Sequence, residues 1–220
     1  VGICGGPGYQ CPVLWAGPGQ AQRIAARLAA APLREVTRNP HLDYRWARAA
    51  VSAPALLARV KTLIGADIAV ENSFLITKEP HSTFSVPAHQ DGINDRILLD
   101  PAKAVAAWLA ITDATVASGC LQLVPGSHGG GYLPYHQAAA TGSGGQRPLT
   151  AGDFSDEAFI PVPLPSGQAC LLDVRLIHRS GPNQTNRPRI GLNVRYIAPG
   201  AVTIRDGSTL TPFAVTGTRW

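Results

Sequence analysis

Methionine is absent from the whole sequence, position 1 included. The chain is therefore expected to begin downstream of a natural start or to lack internal residues, so short spacings carry more weight than long ones. No run of about 18 apolar residues occurs, and no helical membrane span is expected. The opening VGICGGPGYQ has neither a basic segment nor a leader-like apolar stretch, and no secretory signal is expected. Cysteine is sparse. Cys4, Cys11, Cys120 and Cys170 are widely spread without a CxxC pair, so neither a disulfide framework nor a cysteine-held zinc ion is expected, and a reducing cytoplasm is the expected setting. A basic stripe interleaved with aromatics is also missing. The net charge of +5 is dispersed, with Arg34, Arg38, Arg45 and Arg48 nearest to a cluster. A solvated helix face accounts for these four, and no nucleic-acid partner is expected.

What is present is apolar content, 45% of 220 residues, enough to bury one sizeable core, so a single domain over 1–220 is expected. A lead of about 65 residues reads as helical: Gln20–Ala31 and Ala55–Ile64 are rich in Ala, Leu and Arg, Pro54 suits a helix start, and Gly65 lies just past an end. From about residue 66 to 198, short apolar runs bounded by Pro and Gly follow: Ile68–Lys78, Phe84–His89, Ala104–Thr112, Cys120–Pro125, Phe159–Pro163, Gln168–Asp173 and Ile190–Ile197. This pattern predicts a mainly β fold with flanking helices, a double-stranded β-helix of the jelly-roll, cupin-like kind. Residues 129–156, with GGG and TGSGG, read as a long lid-like loop.

Strand phase predicts which side chains line a site. Ile68, Val70, Asn72, Phe74 and Ile76 would share one face, leaving the Asn72 amide alone on an apolar set and in need of a partner. Towards the end of the chain, Ile190, Leu192, Val194 and Tyr196 would form one face and Arg189, Gly191, Asn193 and Arg195 the other. The second face is polar, with Gly191 predicted to leave ligand space beside a guanidinium suited to gripping a carboxylate. Lys78, in phase with Asn72, either assists an acidic ligand or snorkels from its strand end.

His89 and Asp91 flank Gln90, and on extended backbone they point to one face while Gln90 turns away. With His178, two imidazoles and one carboxylate would leave part of an octahedral Fe(II) sphere open, as oxygen activation requires. An isolated HxD pair is usually only a polar pair, and His178, Ser180 and Arg189 follow it in the sequence. His128 in the PGSH turn is read as fixing its loop, and His41, His81 and His136 are given no role.

HQD (His89–Asp91), GCLQLVPGSH (Gly119–His128) and HRSGPNQTNRPR (His178–Arg189) together closely resemble the phytanoyl-CoA dioxygenase family of Fe(II) and 2-oxoglutarate oxygenases. The stretch AVAAWLAITDATVASGCLQLVPGSH is similar to the branch with bacterial natural-product hydroxylases and aliphatic halogenases. The resemblance implies that His89, Asp91 and His178 hold iron, and that Arg189 and Ser180 bind the distal carboxylate of 2-oxoglutarate, with Asn72 and Trp108 lining its pocket. Halogenases of that branch carry Ala or Gly where Asp91 stands, so hydroxylation of an aliphatic carbon, with O2 as oxidant, is expected over halogenation. Desaturation, cyclisation and epimerisation are alternatives with the same cofactors. The expected substrate is a compact metabolite, free or tethered as a biosynthetic intermediate, in bacterial secondary metabolism. A long acyl chain is not expected, since only Tyr132, Leu133 and Tyr135 add bulk to the lid-like segment. A non-catalytic cupin-like binder and a zinc hydrolase are the rivals from other classes. Arg189 counts against both, because neither needs a guanidinium aimed at a co-substrate.

Overall fold

The computed structural model describes residues 3, 6–30, 34–136 and 154–220. Two sheets enclose the inner core. The larger one joins β1 (Tyr9–Leu14), β9 (Gln168–Leu172), β6 (Ala104–Ala110), β11 (Arg189–Ile197), β3 (Ile68–Lys78) and β13 (Phe213–Thr216) in that spatial order, with β2 (Val36–Arg38) also paired to β3. The smaller one runs β4 (Val86–His89), β10 (His178–Ser180), β7 (Leu121–Leu123), β8 (Ile160–Val162). A separate pair, β5 (Ile97–Leu99) and β12 (Val202–Ile204), packs against the inner core. All these pairings are antiparallel. This is the expected jelly roll.

Side-chain alternation divides the larger sheet between two cores. Ile190, Leu192, Val194 and Tyr196 of β11 pack with Leu56 and Val60 on the helix-covered face. Ala106 and Trp108 of β6 meet Leu121 and Leu123 of the smaller sheet inside the barrel. The covering helices are α1 (Pro18–Leu28), α2 (Pro40–Asp43), α3 (Arg45–Val51) and α4 (Pro54–Ile64). α4 starts on Pro54, whose missing N–H costs nothing there, and stops at Gly65, φ 92°.

Several expectations need correction. The lead is not purely helical, because β1 and β2 lie within it and pair with β9 and β3. Neither shows a period-2 pattern, β1 because it holds Pro12 and an irregular register, β2 because it is only three residues long. β12 and β13 likewise extend the sheets beyond residue 198. The face assigned to β3 changes phase midway. Arg195 pairs with Asn72 but Tyr196 with Val70, so Glu71 is an inserted bulge residue. Ile68 and Val70 therefore join the helix-side core, and only beyond the bulge do Asn72, Phe74, Ile76 and Lys78 share the inner wall.

The lid-like reading of 129–156 falls mostly on 137–153, which lie outside the described residues. The part before them is tied down: Tyr132 Oη donates to Leu99 O (2.7 Å) and Tyr135 Oη to Asp95 Oδ1 (2.8 Å). Gln90, turned away from His89 and Asp91, donates to Gly131 O (2.8 Å) and accepts from Leu133 N (2.8 Å). Among the described residues no helix is long and apolar enough to cross a membrane.

Tyr196 ties the central strand to the helical layer, its buried hydroxyl donating to Val51 O at 2.8 Å. Tyr196→Phe leaves that carbonyl unpaired and is expected to cost about 1–2 kcal/mol in urea unfolding. An unchanged midpoint would mean that this bond does not hold the layers together.

Candidate metal centre and anion pocket

The centre is made where β4 meets β10. His89 and His178 are directly opposite each other in that pairing, with ring centroids 4.1 Å apart. Each ring is fixed by a backbone carbonyl: His89 Nδ1 bonds Pro87 O (2.8 Å) and His178 Nδ1 bonds Leu176 O (3.0 Å). A carbonyl only accepts, so Nδ1 carries the proton and the Nε2 lone pair is free for a cation. Asp91 lies just past β4, with Oδ1 3.8 Å from His89 Nε2 and Oδ2 3.7 Å from His178 Nε2. These separations are too long for hydrogen bonds, yet the three ligand atoms all lie within 4.8 Å of one another.

The protonation states suit a divalent ion. Burial, and then the neighbouring His178, lower the His89 pKa to about 4. Burial acts to raise the Asp91 pKa, but His178, His89 and Arg195 outweigh it, and the carboxyl sits below its ordinary value. Free imidazole lone pairs and an ionised carboxylate are what metal binding requires. Asp91 is in turn held from β11: Asn193 Nδ2 stands 3.3 Å from Oδ1 and 3.1 Å from Oδ2, and Arg195 Nη1 donates to Asp91 O at 2.7 Å.

One strand repeat from His178, Ser180 faces the same side of β10. Its Oγ accepts from Lys78 Nζ at 2.9 Å and from Arg189 Nη2 at 3.4 Å. Lys78 and Arg189 are cross-strand partners. Arg189 Nη2 also donates to Gly119 O (2.8 Å), and Lys78 Nζ to Ser180 O (3.2 Å) and Gly181 O. Both cations are fully buried, and among the described residues neither has a carboxylate within ion-pair distance. Arg189 Nε and Nη1 have no hydrogen-bond partner. Burial and then Arg189 lower the Lys78 pKa to about 6, and burial lowers that of Arg189 to about 10. Two buried cations without an acid are costly unless an anion joins them.

The structure thus brings together His89, Asp91 and His178, and beside them Ser180, Arg189 and Trp108, whose ring lies 5.3 Å from the Arg189 guanidinium carbon. Lys78 joins them as a buried donor rather than a snorkelling strand end. Asn72 stands on the same inner wall but at its other end, cross-strand from Arg195 and about 20 Å along β3 from Lys78 at the rise of an extended strand, with its Oδ1 buried and without a hydrogen-bond partner. Gly191 does not leave open ligand space. An added Cβ there would lie 2.3 Å from Trp108 Cζ2, so the glycine makes room for the indole. His128 is buried in its turn against Gly8, where an added Cβ would lie 2.5 Å from Nδ1. His41 bonds Ser73 Oγ (2.6 Å) and His81 bonds Asn186 Oδ1 (2.7 Å).

Residues 21–191 match the family model described as phytanoyl-CoA dioxygenase. A mouse phytanoyl-CoA dioxygenase domain-containing protein 1 is 27% identical over 168 residues, which cover 75% of this chain and 57% of the mouse protein. The chain thus spans about half the length of the curated relatives it matches. Among solved structures, the apo form of the non-heme monooxygenase ThoJ superposes with a TM-score of 0.79 at 28% identity, covering 96% of this chain and 81% of ThoJ. SnoN, a non-heme alpha-ketoglutarate-dependent epimerase from nogalamycin biosynthesis, superposes at 0.68 with 22% identity, over 97% of this chain and 90% of its own, and shares the fold.

Replacing His89, Asp91 or His178 by Ala is expected to weaken Mn(II) binding by more than the roughly 10- to 100-fold that losing an outer partner costs. Anaerobic calorimetry measures this, and wild-type affinity in any one variant removes that residue from the ligand set.

Proposed function

The chain belongs to the phytanoyl-CoA dioxygenase family, and from that membership we propose that it is an Fe(II)- and 2-oxoglutarate-dependent oxygenase that hydroxylates an aliphatic carbon of a small metabolite. The observation that carries this reading is the pairing of three metal-ligand side chains with the buried cations Lys78 and Arg189, which meet at Ser180 one strand repeat from His178 and have no carboxylate partner among the described residues. A zinc hydrolase or a simple cupin-like binder has use for the first group but not the second. A 2-oxo dicarboxylate has use for both.

The cofactor set that goes with the family and the ligand cluster is Fe(II), 2-oxoglutarate and dioxygen. Bound together, they supply the oxidising power and the oxygen atom for attack on a C–H bond. His89, Asp91 and His178 hold the metal. Arg189 and Lys78 receive the distal carboxylate, with the Ser180 hydroxyl fixing both donors. Trp108 closes the apolar side of that pocket and keeps water from it. Asp91 fills the position that a halide would need, which favours oxygen insertion over halogenation. Desaturation, cyclisation and epimerisation need the same residues and differ in how the substrate is placed. SnoN's part in nogalamycin biosynthesis supports a place for this chain in bacterial secondary metabolism, acting as one domain in the cytoplasm on a compact substrate, free or tethered.

The test is turnover with Fe(II), 2-oxoglutarate, dioxygen and candidate metabolites. Succinate should form in step with a product that gains one oxygen atom. Substrate cleavage with Zn(II) in the absence of dioxygen and 2-oxoglutarate would sink the proposal.

Two outcomes follow for the anion pocket. Arg189→Lys keeps the charge but loses the planar fork, and is expected to raise the 2-oxoglutarate requirement about 10- to 100-fold, read from succinate formation against co-substrate concentration. An unchanged requirement would place the carboxylate elsewhere. Burial lowers the Lys78 pKa to about 6, so the ammonium set among the acceptors Ser180 Oγ, Ser180 O and Gly181 O gives up its proton readily while the site is empty. A carboxylate beside it raises that pKa, so binding takes up a proton, and 2-oxoglutarate affinity falls as pH rises above 6. Calorimetry in buffers of different ionisation enthalpy should show proton uptake that disappears in Lys78→Met. Equal uptake in both proteins would remove Lys78 from the pocket.

A further inference from the structure

We propose that Asn193 is a positioning residue for the Asp91 carboxylate, and that a buried Glu71–Arg195 pair holds the turn bearing Asp91, so that the ligand set is assembled before an ion arrives. This rests on the reading of Asp91 as a metal ligand.

The Asn193 amide nitrogen straddles the carboxylate, 3.3 Å from Oδ1 and 3.1 Å from Oδ2. This fixes rotation about the Asp91 Cβ–Cγ bond with each oxygen turned to a different imidazole, Oδ1 to His89 and Oδ2 to His178. Flipping the amide would set its oxygen against an ionised carboxylate, so only the donating orientation is stable. The Asn193 oxygen is left buried without a partner. Buried amides placed only for packing normally satisfy both ends; here the orientation is dictated by Asp91.

The backbone of Asp91 is held separately. Arg195 Nη1 donates to Asp91 O at 2.7 Å, while Arg195 Nε lies 2.9 Å from Glu71 Oε2, both side chains being buried. Glu71 is the inserted bulge residue of β3. In a regular strand Glu71 and Asn72 would face opposite sides, whereas the bulge lets Glu71 reach Arg195 while Asn72, Phe74, Ile76 and Lys78 keep the inner wall. The bulge is thus the device that brings a counter-charge to Arg195. It also explains why Arg195, unlike Arg189, is charge-compensated: Arg195 fixes protein, and Arg189 is left for a ligand.

The test uses Co(II), which reports both affinity and ligand geometry through its visible spectrum, on the full chain without oxygen or 2-oxoglutarate. The wild type should bind Co(II). Asn193→Leu, close in size but without a donor, should bind about 10- to 100-fold more weakly, with a changed Co(II) spectrum and an apo Tm close to wild type. Arg195→Met should act in the same direction. If Asn193→Leu fails to fold, Asn193→Ala is judged by the same measurements. Wild-type affinity and spectrum in a folded Asn193 variant would overturn this inference while leaving the metal site standing. Failure of the wild type to bind Co(II) would instead overturn the metal reading beneath it.

Discussion

Side-chain alternation on a three-residue strand joins the two halves of this site. β10 runs only from His178 to Ser180, yet its ends face the same way. One completes the three-ligand cluster and the other bridges the two buried cations. The separation of metal and anion positions is therefore set by backbone geometry. β10 is held on both sides, by β4 through His178–His89 and by β7 through His178–Leu123 and Ser180–Leu121, so this spacing cannot drift without loss of the smaller sheet.

The two halves are prepared in opposite electrostatic senses. At the ligand cluster the protein compensates what it buries: backbone carbonyls fix both imidazoles, Asn193 and Arg195 secure Asp91, and Glu71 balances Arg195. At the other end Lys78 and Arg189 are given neutral oxygen acceptors but, among the described residues, no carboxylate. Such an arrangement lowers apo stability and is relieved when an anion binds. Under the proposed function this arrangement suits a dicarboxylate, one end meeting the cations while the other reaches the metal.

The parts of this site that depend on short-range alternation were legible in the sequence. His89 and Asp91 share a face as two neighbours of Gln90, the inner face of β11 carries Arg189, Asn193 and Arg195 as expected, and β3 has the predicted bounds. What was illegible depends on partners far away in the chain. Nothing near Glu71 announces a bulge, which exists only as a mismatch with β11. The His89–His178 register needs both strands in place, and the role of Gly191 depends on an indole from β6. Lys78 could be read as snorkelling because burial at a strand end is decided by Ser180 and Gly181, more than a hundred residues later. Gln90 showed only that it turns away, whereas its amide clamps Gly131 and Leu133.

One ligand is expected to touch the metal and the buried cations together. Adding 2-oxoglutarate to the Fe(II)-loaded protein under anaerobic conditions, while following visible absorption, tests it most directly. A broad, weak charge-transfer band that saturates at one equivalent is expected, as the 2-oxo acid meets iron held by His89, Asp91 and His178. Iron bound at that cluster with no band at saturating 2-oxoglutarate would contradict it.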